Sequence, residues 1–182
     1  MAIITYLGST VDEYRREAVN IIKGLTLCCP RCPLPSRKMV IHDNYKRGIK
    51  DLGEEIQVNR VICHDCGKTQ AVLPDFLQPR KQFSAATMEN ALMNEPDEGN
   101  MGASGSTKSR WRNTLSQKVL AWASLMCVLA LETTGRTVST IILTSLSPLE
   151  QICELAKCLP RVNCSSILGL ASMFFGEGVS RY

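Results

Sequence analysis

Apolar positions along the chain change period several times, and each change marks an element. Val11, Tyr14, Ala18, Ile21 and Ile22 recur at helical spacing. They follow Thr10-Val-Asp-Glu13, a hydroxyl with a carboxylate three residues on, and end at Gly24. The spacing predicts a helix over about 11–23, packed beside whatever comes next. Met39 to His42 reads as a short strand, and Gly48 and Gly53 mark turns. From Glu55 to Ile62 the period drops to two, with Ile56 and Val58 on one side and Gln57, Asn59 and Val61 on the other. Thr69 to Leu73 is a return strand stopped by Pro74.

After the strands the pattern becomes helical. Ser84 opens a short helix reaching Met93. Asn94 to Ser106, with three glycines, Pro96 and the acids Glu95, Asp97 and Glu98, reads as a linker or loop. A helix from Thr107 carries Trp111, Leu115, Val119, Trp122 and Met126 at helical spacing, with Trp111 expected to point into the core. Past Val119 it is apolar nearly all round and is expected to be buried. Ser147-Pro-Leu-Glu150 is a capped helix start, with Leu149, Ile152, Leu155, Ala156 and Leu159 on one face and Pro160 as its end. A last helix is predicted over about 164–175.

The chain has 182 residues, 45% of them hydrophobic, and a mean hydropathy of −0.02, which describes a globular protein. The longest apolar run, Val119 to Leu131, is 13 residues long, whereas a membrane span needs about 20. The N-terminus lacks a basic start followed by an apolar run, so no signal peptide is expected. Nine cysteines in such a chain suit a reducing compartment, where thiols serve metals more than disulfides. A soluble, cytoplasmic protein follows as the expectation, with no membrane partner.

Those cysteines carry the clearest chemistry. Cys29-Pro-Arg-Cys32 and Cys63-His-Asp-Cys66 are two C-x-x-C pairs, with 30 residues between the inner cysteines. Each pair forms a tight turn that aims two thiolates at one ion, and two such turns complete a tetrahedral Zn²⁺ site. Pro30 stiffens the first turn, and Gly67 permits a left-handed residue after the second. Cys28 could substitute for its neighbour, but the two-residue spacing selects Cys29. A ligating His42 or His64 would have to displace a cysteine. A thiol redox centre ordinarily uses one such pair at a helix start. Four thiolates leave no open position for water, so the site is a fastener and not a catalyst. Cys127, Cys153, Cys158 and Cys164 fall in apolar helical segments, where free cysteine acts as a small hydrophobe.

Net charge is +4, and its distribution matters more than its sum. Residues 29–83 carry ten Lys/Arg against six Asp/Glu, and 101–118 carry four against none. Basic clusters displace the counterions condensed on nucleic acid. Lys46 and Arg47 on the strands, and Lys108, Arg110 and Arg112 around Trp111, are the candidate DNA contacts.

Residues 27–83 resemble the zinc-ribbon leader of insertion-sequence transposases and a related uncharacterised bacterial family of small proteins. The phrases that carry the resemblance are Cys29-Pro-Arg-Cys32, Val40 to Arg47, Arg60 to Thr69, Leu73-Pro-Asp-Phe76 and Arg80 to Ser84. It implies a helix-turn-helix after the ribbon, and Ser106 to Arg112 looks like the start of its recognition helix. The preceding segment, Asp97 to Gly105, contains three glycines, which disfavours the helix that should come first. Transposase catalysis would need an acidic triad on a large α/β core. After Glu98 there is no aspartate, and the only glutamates are Glu132, Glu150, Glu154 and Glu177.

The expected architecture is therefore α+β: a small three-stranded zinc ribbon with flanking helices and an all-helical C-terminal segment. Its divisions are an N-terminal helical segment (1–26), the ribbon (27–83), helices with a degenerate helix-turn-helix (84–118) and an apolar helical segment (119–182). The expected function is non-catalytic, zinc-dependent DNA binding, transposase-related but lacking the catalytic core. The alternative is a zinc-stabilised module for protein–protein interaction or homo-oligomerisation through the C-terminal helices.

Overall fold

The structure, a computed structural model, describes residues 2–29, 31–32, 38–93, 102–134, 146, 148–156, 166 and 168–169. The described chain is α+β. In order it forms β1 (Ala2–Thr5), α1 (Val11–Gly24), β2 (Val40–Ile49), β3 (Glu54–Ile62), β4 (Thr69–Pro74), α2 (Ala85–Met93), α3 (Gly105–Thr134) and α4 (Pro148–Ala156). One mixed sheet has the order β1-β4-β3-β2. β2 and β4 flank β3 antiparallel, and β1 pairs parallel with β4.

The sheet thus has four strands where three were expected. The added strand is Ala2–Thr5, whose Ile3 and Ile4 are buried. Four residues are too few to show a period, and their partners, Ala71 to Pro74, lie far along the chain. β2 is also longer than expected. Its pairing with β3 runs through Gly48, which faces Glu55, and the chain reverses only at 50–53, where Gly53 takes φ +63°. Pro74 does not stop β4 but ends it as the partner of Thr5.

α1 forms as its sequence dictates. The Thr10 hydroxyl accepts a hydrogen bond from the Glu13 backbone N–H at 3.2 Å, and the Glu13 carboxylate accepts one from the Ser9 N–H at 2.8 Å. The helix buries Tyr14, Ala18 and Ile22, one turn apart, against the sheet. Two bonds weld it there: the Tyr14 hydroxyl donates to the Gln57 carbonyl at 2.8 Å, and Arg15 to the Glu55 carbonyl at 3.0 Å. The Tyr14 ring meets Phe76 edge-on, 6.1 Å between centroids. Burial pushes the Tyr14 hydroxyl up to about 12.

The described residues fall into two compact units. One holds the chain up to Ala85 together with Ser166, Leu168 and Gly169, and the other runs from Ala86. In the second unit α3 packs against α4, whose Leu149, Ile152 and Leu155 are buried at helical spacing. Gln151 donates to the Leu146 carbonyl at 3.0 Å at the α4 start. Ser147, the expected cap, and most of the predicted 164–175 helix lie outside the described residues.

Trp111 and Ala123 of α3 are buried as expected, but the helix is not buried all round. Leu125, Val128 and Leu131 are 48%, 53% and 45% exposed. Spaced three residues apart along the later half of the helix, they form an exposed apolar row. Among the described residues, no helix is long and apolar enough to cross a membrane.

The first unit also contains a close backbone approach far apart in sequence. The Ser166 hydroxyl donates to the Asp75 carbonyl at 2.9 Å and accepts from the Gly169 N–H at 2.8 Å. A Cβ on Gly169 would lie 2.2 Å from that carbonyl oxygen and 2.5 Å from the Ser166 oxygen. Gly169→Ala is therefore expected to destabilise the protein by about 1–3 kcal/mol, as overpacking does. Urea denaturation of the two proteins checks it.

Candidate metal centre

Strand register builds the site. In the antiparallel β2–β3 pair Val40 faces Ile62, so the start of β2 and the end of β3 lie side by side. The first C-x-x-C precedes β2 and the second follows β3. The 30 intervening residues are spent mostly on the hairpin, which returns the chain to the same end of the sheet.

Each turn is held by backbone bonds. Cys28 bridges to Lys38, and the Met39 N–H donates to the Leu27 carbonyl at 2.8 Å, closing a small loop around Cys29 and Cys32. At the second turn the Gly67 N–H donates to the Cys63 carbonyl at 2.8 Å, and the Cys63 N–H to the Lys68 carbonyl at 3.0 Å. Gly67 sits at φ +65°, a conformation that side chains with a Cβ rarely adopt.

The result is a cluster of four sulfurs, those of Cys29, Cys32, Cys63 and Cys66, all within 4.8 Å of one another. Cys29 and Cys66 are 3.7 Å apart, as are Cys32 and Cys63. A disulfide would need about 2.05 Å, so these are four free thiols converging on one point that can hold a metal ion. Cys29 and Cys63 are buried, Cys32 is half-buried and Cys66 lies at the exposed rim. Cys28, also free, stands outside the cluster, which selects Cys29 as the two-residue spacing did. His42 and His64 are exposed and do not join it.

The thiols do not ionise alike. Burial opposes ionisation of Cys29, but the Arg31 backbone N–H and the neighbouring thiols overcome it and hold Cys29 below the ordinary thiol range. Burial and the three surrounding sulfurs push Cys32 well above that range. Packed this closely, four thiols cannot all become thiolates without a cation between them, and a bound metal ion supplies that charge.

The candidate DNA contacts are distributed differently. Lys46 is exposed and pairs with Glu55 at 3.1 Å. Arg47 turns inward and donates to the carbonyls of Gln78, at 2.6 Å, and Lys81. Burial lowers its pKa from the ordinary guanidinium value. It fastens the loop after β4 to the hairpin. Arg112 donates to the Ala91 carbonyl at 2.8 Å, tying α3 to the end of α2. Lys108 is half-buried and Arg110 exposed. Lys46 and Arg47 belong to the first unit, and Lys108, Arg110 and Arg112 to the second.

Two structural fasteners escaped the sequence reading. Asp51 accepts from the Ser84 N–H at 2.9 Å and from its hydroxyl, and Arg60 forms a two-point ion pair with Asp43 beside the irregularity in β2. The Arg60 hydrogen bonds hold the Asp43 carboxyl below its usual range. Cross-strand register sets the Arg60 pair, and a tertiary contact between the hairpin turn and the loop before α2 sets the Asp51 one; no local pattern announces either.

Residues 29–111 match a domain of unknown function (DUF6431). That stretch begins at the first clustered cysteine and ends at Trp111. No curated protein and no solved structure matches the chain.

Cys63→Ser is expected to abolish stoichiometric metal binding and to lower stability, because Cys63 is fully buried in the cluster. Cys28→Ser is expected to keep the metal. Metal content by mass spectrometry, with thermal melts of both variants, checks the pair.

Proposed function

We propose that the protein is a non-catalytic zinc-ribbon module that binds duplex DNA. The observation that carries the ribbon is the sulfur cluster. A tetrahedron with metal–sulfur bonds of about 2.3 Å, the zinc–thiolate length, has edges of about 3.8 Å. Two of the six edges of the cluster are 3.7 Å, and all lie within 4.8 Å. Zn²⁺ on Cys29, Cys32, Cys63 and Cys66 would have all four positions filled by protein, which suits a structural role. The ion would replace missing core: structural zinc contributes roughly 10–16 kcal/mol in small peptides. In this reading β2, β3 and β4 are the ribbon strands, and β1 is an addition to their edge.

DNA binding draws its support from the start of α3. The helix has no acidic residue in its first turn, yet Lys108, Arg110 and Arg112 follow within eight residues of its first residue, Gly105. Cations near a helix N-terminus oppose the helix dipole, and a phosphate docked there would relieve both. Arg110, exposed, is the foremost contact, with Lys108 beside it. Arg112 contributes through the charge it keeps while bonded to Ala91. Lys46 and Arg47 are occupied by Glu55 and by the loop carbonyls, so they take a secondary part. The likeness to transposase leaders extends to this binding step alone, because the chain lacks the acidic residues for strand transfer.

The exposed row Leu125, Val128 and Leu131 supports a second reading, association with a second copy or a protein partner through α3.

Purified protein is expected to carry one zinc per chain and to bind duplex DNA with an affinity that falls with salt. Arg110→Ala is expected to weaken binding to all duplex sequences alike and to reduce the log–log salt slope by roughly 1. Fluorescence anisotropy at several salt concentrations measures both. A zinc-loaded protein with no duplex affinity at low salt would leave association as the function.

A further inference from the structure

A cleft of about 430 Å³ opens between α1 and the β2–β3 hairpin, and none of the four clustered cysteines lines it. Its floor follows from strand register. Asn44 faces Asn59 and Lys46 faces Gln57, and residues two apart on a strand share a face. Three carboxamides and one ammonium group therefore form a two-by-two patch. Cross-strand neighbours of this kind have Cβ atoms about 4.5–5.5 Å apart. The wall is α1, where Ala18 is small and Val19, 42% exposed, presents an aliphatic surface. Tyr14, whose hydroxyl donates to the Gln57 carbonyl at 2.8 Å, and the buried Asn59 also line the cleft.

The charges at the rim are already satisfied. Lys46 pairs with Glu55 at 3.1 Å and Arg15 with Glu54 at 2.7 Å. An anion entering the cleft would have to compete with both carboxylates, so the lining favours an uncharged ligand. Among the described residues, the Asn44 and Gln57 carboxamides form no hydrogen bond, and both are exposed to the cleft. A carboxamide offers a donor and an acceptor side by side. Its complement is a flat group with an acceptor and a donor in the same plane, the arrangement along an adenine edge that Asn and Gln pair with in two-point fashion. The aliphatic wall at Val19 suits the face of such a ring.

We propose that this cleft binds a nucleobase, adenine foremost, through Asn44 and Gln57. The site stands apart from the duplex-binding reading, since it lies in the first unit and needs no phosphate. It adds a base-recognition pocket to the ribbon.

The test uses the full-length, zinc-loaded chain and adenosine, a probe without phosphate, followed by the side-chain amide signals in ¹H–¹⁵N NMR spectra. Adenosine is expected to shift the Asn44, Gln57 and Asn59 carboxamide signals saturably. Asn44→Ala and Gln57→Ala, both exposed and compatible with the fold, are each expected to weaken binding by about 5- to 150-fold, the usual worth of a two-point base contact. Unchanged zinc content and circular dichroism verify that the variants fold. Absence of shifts at millimolar adenosine would overturn the proposal, as would equal binding by the double variant. Equal or tighter binding of N-acetylglycine methylamide, a peptide mimic, would assign the cleft to main-chain amides instead and overturn it too. Salt-dependent duplex binding tests α3 separately, so either result can fail without the other.

Discussion

Four sulfurs within 4.8 Å of one another bring together two turns of the first unit that lie more than 30 residues apart in sequence. Thiols so close repel one another as they ionise, which shows in the opposite displacement of Cys29 and Cys32. A cation held within the cluster would offset that repulsion and fasten the two turns together. Everything that brings the two turns together follows from that: the hairpin between them, the backbone bonds that shape each turn, and the left-handed Gly67. A small sheet has little apolar interior of its own, so its ends would otherwise fray.

The remainder of the first unit compensates on the opposite side of the same problem. α1 lies on β2 and β3 and supplies Tyr14, Ala18 and Ile22 to a core that includes Leu7, Ile56, Val58 and Leu73. β1 covers the edge that β4 would otherwise leave open, which removes a row of unpaired backbone groups. Arg47 and Asp51 extend this fastening to the loop after β4, each using a charged side chain to satisfy backbone groups. These two look like surface charges in the sequence. In the fold, Arg47 is committed to carbonyls, which is why a basic residue on a strand need not be a nucleic-acid contact.

The second unit poses a different balance. α3 is 30 residues long and is held on one side by α4, with Trp111 and Ala123 buried. It carries basic residues near its start and an exposed apolar row, Leu125, Val128 and Leu131, further along. The bond from Arg112 to the last turn of α2 couples the basic end to the helix before it. A helix-turn-helix would place its first helix in that position. The segment 94–101, which would connect the two, lies outside the described residues.

The spacing of Cys29, Cys32, Cys63 and Cys66 was legible without a fold, because a C-x-x-C turn is local and its ligand geometry leaves few alternatives. The starts of α1 and α4, the alternation of β3 and the burial of Trp111 were legible for the same reason: caps and periodicity act over a few residues. Tertiary structure decided the fourth strand, since Ala2–Thr5 finds its partner about 70 residues away and four residues carry no period. It also decided which cations stay exposed. Lys46 and Arg47 are neighbours in sequence, but adjacent residues on a strand face opposite ways, so one meets Glu55 in solvent and the other the carbonyls of a loop. The amide-floored cleft arose likewise, from a register that sets Asn44 against Asn59. Local chemistry names the ligands of a metal, whereas long-range pairing chooses which side chains are left free to meet anything else.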